Sequence, residues 1–582
     1  MRKKYLSLLG VAASVLAAGQ ASAGALGAPN EIFIGGATAV QRTFHLDIML
    51  RFCEWDGNVN DADGVITPRV YTDSIKTLPG GGNPLASTPP LGVADQVVIH
   101  CTFDATLGGN LAGAEVAVHK YNGGSGTGVA PVADPATAPA ADQEYLDPAG
   151  TCVLETNTDA NDLWTSVDGS TRFQLFECSG DLKTQAPDGG ISDVEPKVFV
   201  GELATGFGTS VPGITPDKPQ NDFVDKGNLI VKPGAGIVFG VAATIQLRDE
   251  LQADQFAAGQ LDPACTSIAL LAERDSIECM PSIPTAVVQG VYTGEIYSWD
   301  QRTIYGNTVD HGTVNQGKKV NFCRRTAGSG TNAQTAVHFL RTNCISDAPA
   351  MRTFANNVPA PAPAPNVYEN SGSSDMDDCL DALGNGSGFD GDWDVPNFPV
   401  GPPTADGSGD SSIVAPGRTA FGIGYNSLER NVSLSRDYRF LAVDGAKPTL
   451  EEAYDGTWQD IYYLSYQNRV SAGTTPDPQL GGIRTVAADA TELLVLEEFF
   501  GIWNSPTAAA VQAVNDGLIV DPDATTTNNP GDEWQGGFLV GDAAAPATFS
   551  AGPASGTDPR TPWSRETAGG TADSCQELSL KN

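Results

Sequence analysis

The chain is short of histidine and of basic residues, has no Cys-x-x-Cys pair and, past its opening residues, carries no long apolar run. Its five histidines, at positions 45, 100, 119, 311 and 338, form no pair at metal-ligand spacing, and neither a nucleophile elbow nor a phosphate loop occurs. The chain therefore reads as a binding protein rather than an enzyme, with no cofactor. No stretch after residue 23 reaches the roughly 18 apolar residues of a spanning helix. With 33 Lys and Arg against 70 Asp and Glu, the formal charge is −37, which argues against nucleic acid or an anionic membrane as partner. The same field opposes an anionic ligand, so a site for one needs strong local donors, or a salty habitat that screens charge within roughly 10 Å.

What is present points outside the cytoplasm. Met1-Arg2-Lys3-Lys4 is basic, Tyr5 to Ala18 is apolar, and Ala21-Ser22-Ala23 is a small-residue cleavage pattern. Residues 1–23 are expected to be a secretory signal peptide, without a cysteine for lipid attachment, so the location expected is periplasmic or secreted. Ten cysteines form an even set, and in an exported chain they read as disulfides before zinc or redox chemistry. One pairing can be argued from reach. Cys323 ends a strand and Cys344 ends the following helix, roughly 17 and 20 Å back from the shared turn at Gly328. A Cys323–Cys344 bridge is expected.

Along the chain, strands alternate with helical patterns, which indicates an α/β fold whose ligands bind beyond the carboxyl ends of strands. Glu31–Ile34 reads as a strand, Gly35-Gly36-Ala37-Thr38 as a turn, and residues 40–52 as a helix with apolar Phe44, Ile48 and Phe52 four apart. A strand over 114–119 runs into the glycine-rich turn at 123–128. Residues 54–95 and 129–187 read as insertions, the second a loop region with Cys152 and Cys178. An apolar stretch starts at Leu229, and a helix is expected over 285–292. A strand over 319–323 leads into a third glycine-rich turn and a helix over 331–344. Residues 346–416, rich in Pro, Ala, Gly, Ser and Asp, read mostly as loop. Regular structure resumes at 419–425, 460–466 and in a helix over 492–515, and residues 526–582 read as an extended tail. Asp56–Gly64 and Asp390–Asp394 hint at calcium loops, but neither has the twelve-residue spacing with a closing Glu.

An oxyanion is held by backbone N–H groups at helix starts, by hydroxyls and by an arginine that grips two oxygens at once. Gly328-Ser329-Gly330-Thr331 opens a helix, Arg325 lies three residues upstream at a strand end, and Thr38 and Ser125 sit in equivalent turns. Each turn alone is an ordinary turn, Arg325 alone an ion-pair residue, and Asp193 alone a helix cap.

Their order resembles the phosphate-binding protein of bacterial phosphate ABC transporters, a type 2 periplasmic-binding-protein-like family, over most of residues 31–525. Gly35-Gly36-Ala37-Thr38 and Gly124-Ser125-Gly126-Thr127-Gly128 are similar to its first two phosphate turns. Ile191-Ser192-Asp193 is similar to its Ser-Asp motif, and Arg325-Thr326-Ala327-Gly328-Ser329-Gly330-Thr331 to its arginine-led signature. Further echoes are Tyr292–Asp300 and Phe421–Tyr425. The resemblance implies two lobes discontinuous in sequence. Residues 24–240 with 430–525 would form the first, and 241–428 the second. It implies phosphate or a related protonated oxyanion as ligand, with Thr38, Ser125, Asp193, Arg325, Ser329, Gly330 and Thr331 as contacts. It also implies an ABC-type membrane permease as partner and a monomeric receptor. Two positions depart from the pattern. Ala39 stands where the family has an aromatic residue, and Ala327 stands where it has the carboxylate that steadies the arginine. The alternative reading is an exported surface or matrix protein that keeps the fold with a relaxed or lost anion site.

Overall fold

A computed structural model describes residues 30–37, 48, 52–59, 64–73, 96–107, 112–121, 123–133, 143–156, 159–165, 171–199, 229–265, 275–301, 303–304, 307–308, 319–342, 344–345, 364–370, 372–386, 419–428, 430–431, 434–469, 538–541, 560–565 and 573–580. The signal-peptide segment, Thr38, most of the helix expected over 40–52, the helix expected over 492–515 and Asp390–Asp394 lie outside them.

The architecture is mixed α/β, built on one extended sheet. In its first half, β1 (Asn30–Gly36) lies parallel to β4 (Glu115–Tyr121) on one side and to β10 (Gly189–Ser192) on the other. The period-two alternation of β1 sends Ile32 and Ile34 into the main core, while Phe33 faces the other side and stacks on His119 at 4.5 Å. Outward from β4 the sheet continues through β3 (Gln96–Thr102), β2 (Arg69–Thr72) and β8 (Arg172–Cys178). Strands β6 (Cys152–Leu154) and β7 (Leu163–Thr165) share the far edge of β8, and β5 (Gln143–Leu146) pairs with β9 (Leu182–Gln185). The region expected as an inserted loop over 129–187 thus contributes five strands, β5 to β9. Alternating apolar positions such as Phe173, Leu175 and the Cys152–Cys178 bridge hold it in the sheet.

The second half hangs on β11 (Leu229–Thr244), whose 16 residues change partners midway. Its beginning pairs with β19 (Ile461–Arg469), which also borders β10. Its end pairs with β17 (Gly422–Ser427) and β18 (Tyr438–Val443). Beyond β17 come β15 (Asn321–Arg325) and β16 (Asn366–Asn370), all three parallel, and β12 (Ser282–Ile283) borders β18. A small hairpin, β13 (Thr303–Ile304) and β14 (Asn307–Thr308), stands apart. The helices that bear on the site are α1 (Thr285–Tyr292), α2 (Gly330–Leu340) and α3 (Ser373–Asn385). Strand β16 and helix α3 both fall in the stretch expected as loop over 346–416. A buried stripe of Met376, Cys379, Leu380 and Leu383 outweighs its polar composition.

That helix also corrects the expected disulfide. Cys323 bonds Cys379 of α3, and Cys344 bonds Cys575, so Cys323 and Cys344 are not partners. Alternation along β15 is the reason. Phe322 packs on Tyr292 of α1, on the face that also carries Phe339 of α2, which turns Cys323 toward α3 on the opposite face. Reach from the turn was sufficient, and direction was wrong. The remaining bridges are Cys53–Cys101 and Cys265–Cys279.

At the point where β11 changes partners, Phe239 N–H donates to the carbonyl of Asp460 and the Phe239 ring stacks on Tyr425 at 5.4 Å. The Asp460 carboxylate is buried, accepts from the Tyr425 hydroxyl at 2.5 Å and lies 3.6 Å from His338 Nδ1. Burial, only partly countered by the Tyr425 hydroxyl and the charge of Arg565, pushes this carboxyl up to about 8. A folded pKa above the unfolded one means that the acid's contribution is whole below about pH 4 and is lost as pH rises through about 8. Asp460→Asn keeps an acceptor for Tyr425 and removes the charge. Its melting temperature relative to the parent should rise from pH 5 to pH 8, and a constant difference would show that Asp460 does not titrate in this range.

Candidate functional site

Parallel neighbours end side by side, and this places the candidate residues. Because β4, β1 and β10 run parallel, their carboxyl ends bring together Gly36, the turn after Tyr121 and Asp193. In the other half β15 and β16 end together, which sets Arg325 beside the start of α3. Gly36 adopts φ of 108°, and a Cβ there would lie 1.9 Å from the Ile191 carbonyl oxygen, so the first turn can lie against β10 only with glycine at that position.

The two halves meet at these ends. Gly126 N–H donates to the Gly328 carbonyl at 2.9 Å, joining the second glycine-rich turn to the third. The Ser125 hydroxyl donates to Asp193 Oδ2 at 2.9 Å, and the Asp193 backbone N–H donates back to Ser125 Oγ at 3.0 Å. Gly330, first residue of α2, lies against this pair. A Cβ on it would come within 2.3 Å of Ser125 Oγ and 2.4 Å of Asp193 Oδ2. Ser329 caps α2 by accepting from Asn332 N–H, while Gly330 and Thr331 occupy the first turn, where N–H groups have no acceptor within the helix. Ser125, Asp193, Arg325, Ser329 and Thr331 are all buried.

The electrostatics are those of a dry, charged cluster. Asp193 Oδ1 is buried with no hydrogen-bond partner among the described residues. Burial raises the Asp193 pKa, opposed by the Ser125 hydrogen bond and the charges of Arg325 and Lys120. Arg325 donates from Nε to the Asn370 carbonyl at 3.3 Å and from Nη1 to Ser373 Oγ at 2.8 Å. Burial brings its pKa down to about 10, against the pull of Asp193 and Asp375. Arg325 is thus oriented by a carbonyl of β16 and a hydroxyl at the start of α3, with Asp375 capping that helix through Gly372 N–H. A small cavity behind the arginine is lined by Tyr292, Arg325, Thr331, Asn332, Thr335 and Tyr425.

Of the residues expected from sequence, Ser125, Asp193 and Gly330 touch one another, Ser329 and Thr331 flank Gly330, and Arg325 reaches the cluster through its charge. Thr38 and Ala39 lie outside the described residues. Sequence reasoning missed Lys120. The residue is 1% exposed, and its ammonium donates to the carbonyls of Gly36 at 2.7 Å and Tyr121 at 2.8 Å, tying the first turn to the second. Burial brings its pKa down to about 7, with the Asp193 charge acting the other way. The signal was a lysine next to the end of a strand that runs into a glycine-rich turn. Ser373 and Asp375 were missed because they lay inside a segment read as loop.

No protein-family model matches the chain, and no curated protein matches its sequence. Among solved structures it aligns with a protein described as a phosphate ABC transporter substrate-binding protein, with bound phosphate, from Clostridium perfringens. That alignment has 9% identity and a TM-score of 0.33, over 84% of this chain and 98% of that one. An ABC-type phosphate transport receptor from Vibrio cholerae aligns at 12% identity and TM-score 0.25, over 57% and 78% of the two chains. A protein described as a possible phosphate binding protein from Planctomyces limnophilus aligns at 8% and 0.25, over 57% and 74%. Superpositions at these scores do not set residue on residue, so the chemistry of the site is carried by its own side chains.

The contact at Gly330 is directly testable. In a free helix, Gly→Ala stabilises by about 1 kcal/mol, whereas here the added methyl must displace Ser125 and Asp193. Gly330→Ala should lower the melting temperature, and a rise would show that the two turns do not press together as described.

Proposed function

We propose that the chain is an exported solute-binding protein that closes two lobes around inorganic phosphate or a similar protonated oxyanion. The first lobe comprises residues 24–240 with 430–525 and the second 241–428, with the ligand between the ends of β4, β1 and β10 on one side and the start of α2 on the other. Arg325 and, when protonated, Lys120 supply buried positive charge, the amides of Gly330 and Thr331 with the hydroxyls of Ser329 and Thr331 supply donors, and Ser125, whose proton lies on Asp193, sets the carboxylate against the ligand. By the sequence resemblance Thr38 is a further contact. Positive charge held out of water beside helix-start amides answers the unfavourable overall charge of −37 locally. Delivery to an ABC-type permease by a monomeric receptor belongs to the same reading.

The observation that carries it is the buried Asp193 Oδ1, which has no hydrogen-bond partner among the described residues. An ionised carboxylate only accepts hydrogen bonds, so an anion seated against it must bring a proton. Hydrogen phosphate and hydrogen arsenate carry one, and sulfate does not. Specificity then comes from a repulsive element, each roughly 1.4 kcal/mol of it being tenfold in affinity.

Calorimetric titration of the mature chain should give heat with phosphate and arsenate and little with sulfate. Equal affinity for sulfate would contradict the assignment, and silence with all three would favour a structural role for the fold. Arg325→Ala should weaken phosphate binding by roughly 2–5 kcal/mol, and Asp193→Asn should narrow the phosphate-to-sulfate ratio because an amide can donate. The raised pKa of Asp193 fixes the direction with pH. As pH falls the carboxyl takes up a proton and becomes a donor, so sulfate should bind more tightly in acid. A sulfate affinity independent of pH would mean that Asp193 does not face the ligand.

A further inference from the structure

Instead of trailing from the molecule, the described C-terminal residues, 538–541, 560–565 and 573–580, pack along it. Strand β20 (Phe538–Gly541) pairs with β11 at Gly236 and Ile237, and β21 (Arg560–Thr561) pairs with β20. The Tyr463 hydroxyl donates to the Trp563 carbonyl at 2.6 Å. Arg565, buried, stacks on the Tyr462 ring and donates to the carbonyls of Ile461 at 2.7 Å and Gln459 at 2.6 Å. Every one of these anchors lies on β11, on β19 or just before β19, where the start of β11 pairs with β19 beside β10.

Two adjacent residues then face in different directions. Ser574 N–H donates to Glu195 Oε1 at 2.7 Å, both residues being buried, and Glu195 is two positions after Asp193. Cys575 is bonded to Cys344, just beyond the end of α2, and its carbonyl accepts from Arg341 Nη2 at 3.3 Å. Helix α2 begins with Gly330 and Thr331. Residues 574 and 575 therefore join the back of the Asp193 segment to the far end of the helix whose first turn presses on Asp193. Among the five bridges, the other four connect residues within one half. Cys344–Cys575 is also the bridge with both cysteines partly exposed, each of the others having at least one buried partner.

We propose that the C-terminal segment is a latch that holds the two anion-facing elements together and slows release of whatever they enclose, with Cys344–Cys575 as its thiol-reversible link. The inference rests on the two-lobed reading above. An external dithiol opens the link by two-electron exchange. One thiolate attacks a sulfur of the bridge, the second thiol resolves the mixed disulfide, the dithiol leaves oxidised and Cys344 and Cys575 remain as thiols. A receptor so latched retains its ligand, since a tether that keeps two surfaces at high effective concentration acts chiefly on the off-rate.

The test compares the parent, the Cys344→Ser/Cys575→Ser double variant, and parent treated briefly with dithiothreitol and mapped for free thiols. Each is measured for dissociation of radiolabelled inorganic phosphate and for radius of gyration by small-angle scattering without ligand. Opening the link should raise the dissociation rate roughly tenfold or more, as loss of an intramolecular tether does, and enlarge the radius. The dithiol arm gives the same reading if the variant does not fold. An enlarged radius in a protein that never binds phosphate would sustain the latch and reject phosphate as ligand. Unchanged radius and unchanged dissociation would overturn the latch, as would mapping that finds a buried bridge reduced before Cys344–Cys575.

Discussion

Everything at the candidate site depends on one close approach, that of Gly330 to the Ser125–Asp193 pair. It exists because position 330 has no side chain and because Gly126 and Gly328 join their backbones beside it. Closeness expels water, and expulsion gives the remaining groups their character. A carboxylate, a guanidinium and an ammonium share a space in which each is costly alone and tolerable only in the field of the others. Asp193 is shifted up, and Arg325 and Lys120 down, by the same burial.

The supporting structure is arranged to hold that contact. Three parallel strand ends deliver Gly36, the second turn and Asp193 from one half, and two deliver Arg325 and its partners from the other. The long strand β11 runs through both halves and fixes their relation, with Phe239, Tyr425 and Asp460 packed where it changes partners. The disulfides reinforce the same frame. Cys323–Cys379 fastens α3, which orients Arg325, to the strand that bears Arg325. Its loop-entropy contribution is about 4 kcal/mol in an unstrained bridge.

Much of this was legible in the sequence where residue type and local geometry coincide. The glycine-rich turns, the capped start of α2 at Ser329 and the arginine at the end of β15 each have a local signature, and the structure builds a turn, a cap and a strand end there. What escaped was set by tertiary contact. Residues 366–385 look like loop in composition, yet four buried apolar positions at helical spacing make α3. Lys120 looks like the polar end of a strand until its ammonium finds the Gly36 carbonyl at the end of neighbouring β1. Cys323 and Cys344 are near enough along the chain to meet, but alternation on β15 points them apart, and Cys344 finds a partner 231 residues away. Separations of that size leave no trace in local pattern.

The central claim, that Asp193 accepts a hydrogen bond from a protonated oxyanion held by Arg325 and the start of α2, is most directly tested by a high-resolution crystal structure of the mature chain with phosphate. The account predicts one phosphate oxygen about 2.5–2.7 Å from Asp193 Oδ1, the spacing of a charge-assisted O–H···O bond, with a second oxygen on the Arg325 guanidinium. A phosphate bound elsewhere, or one whose oxygens all turn from Asp193 toward other donors, would contradict it.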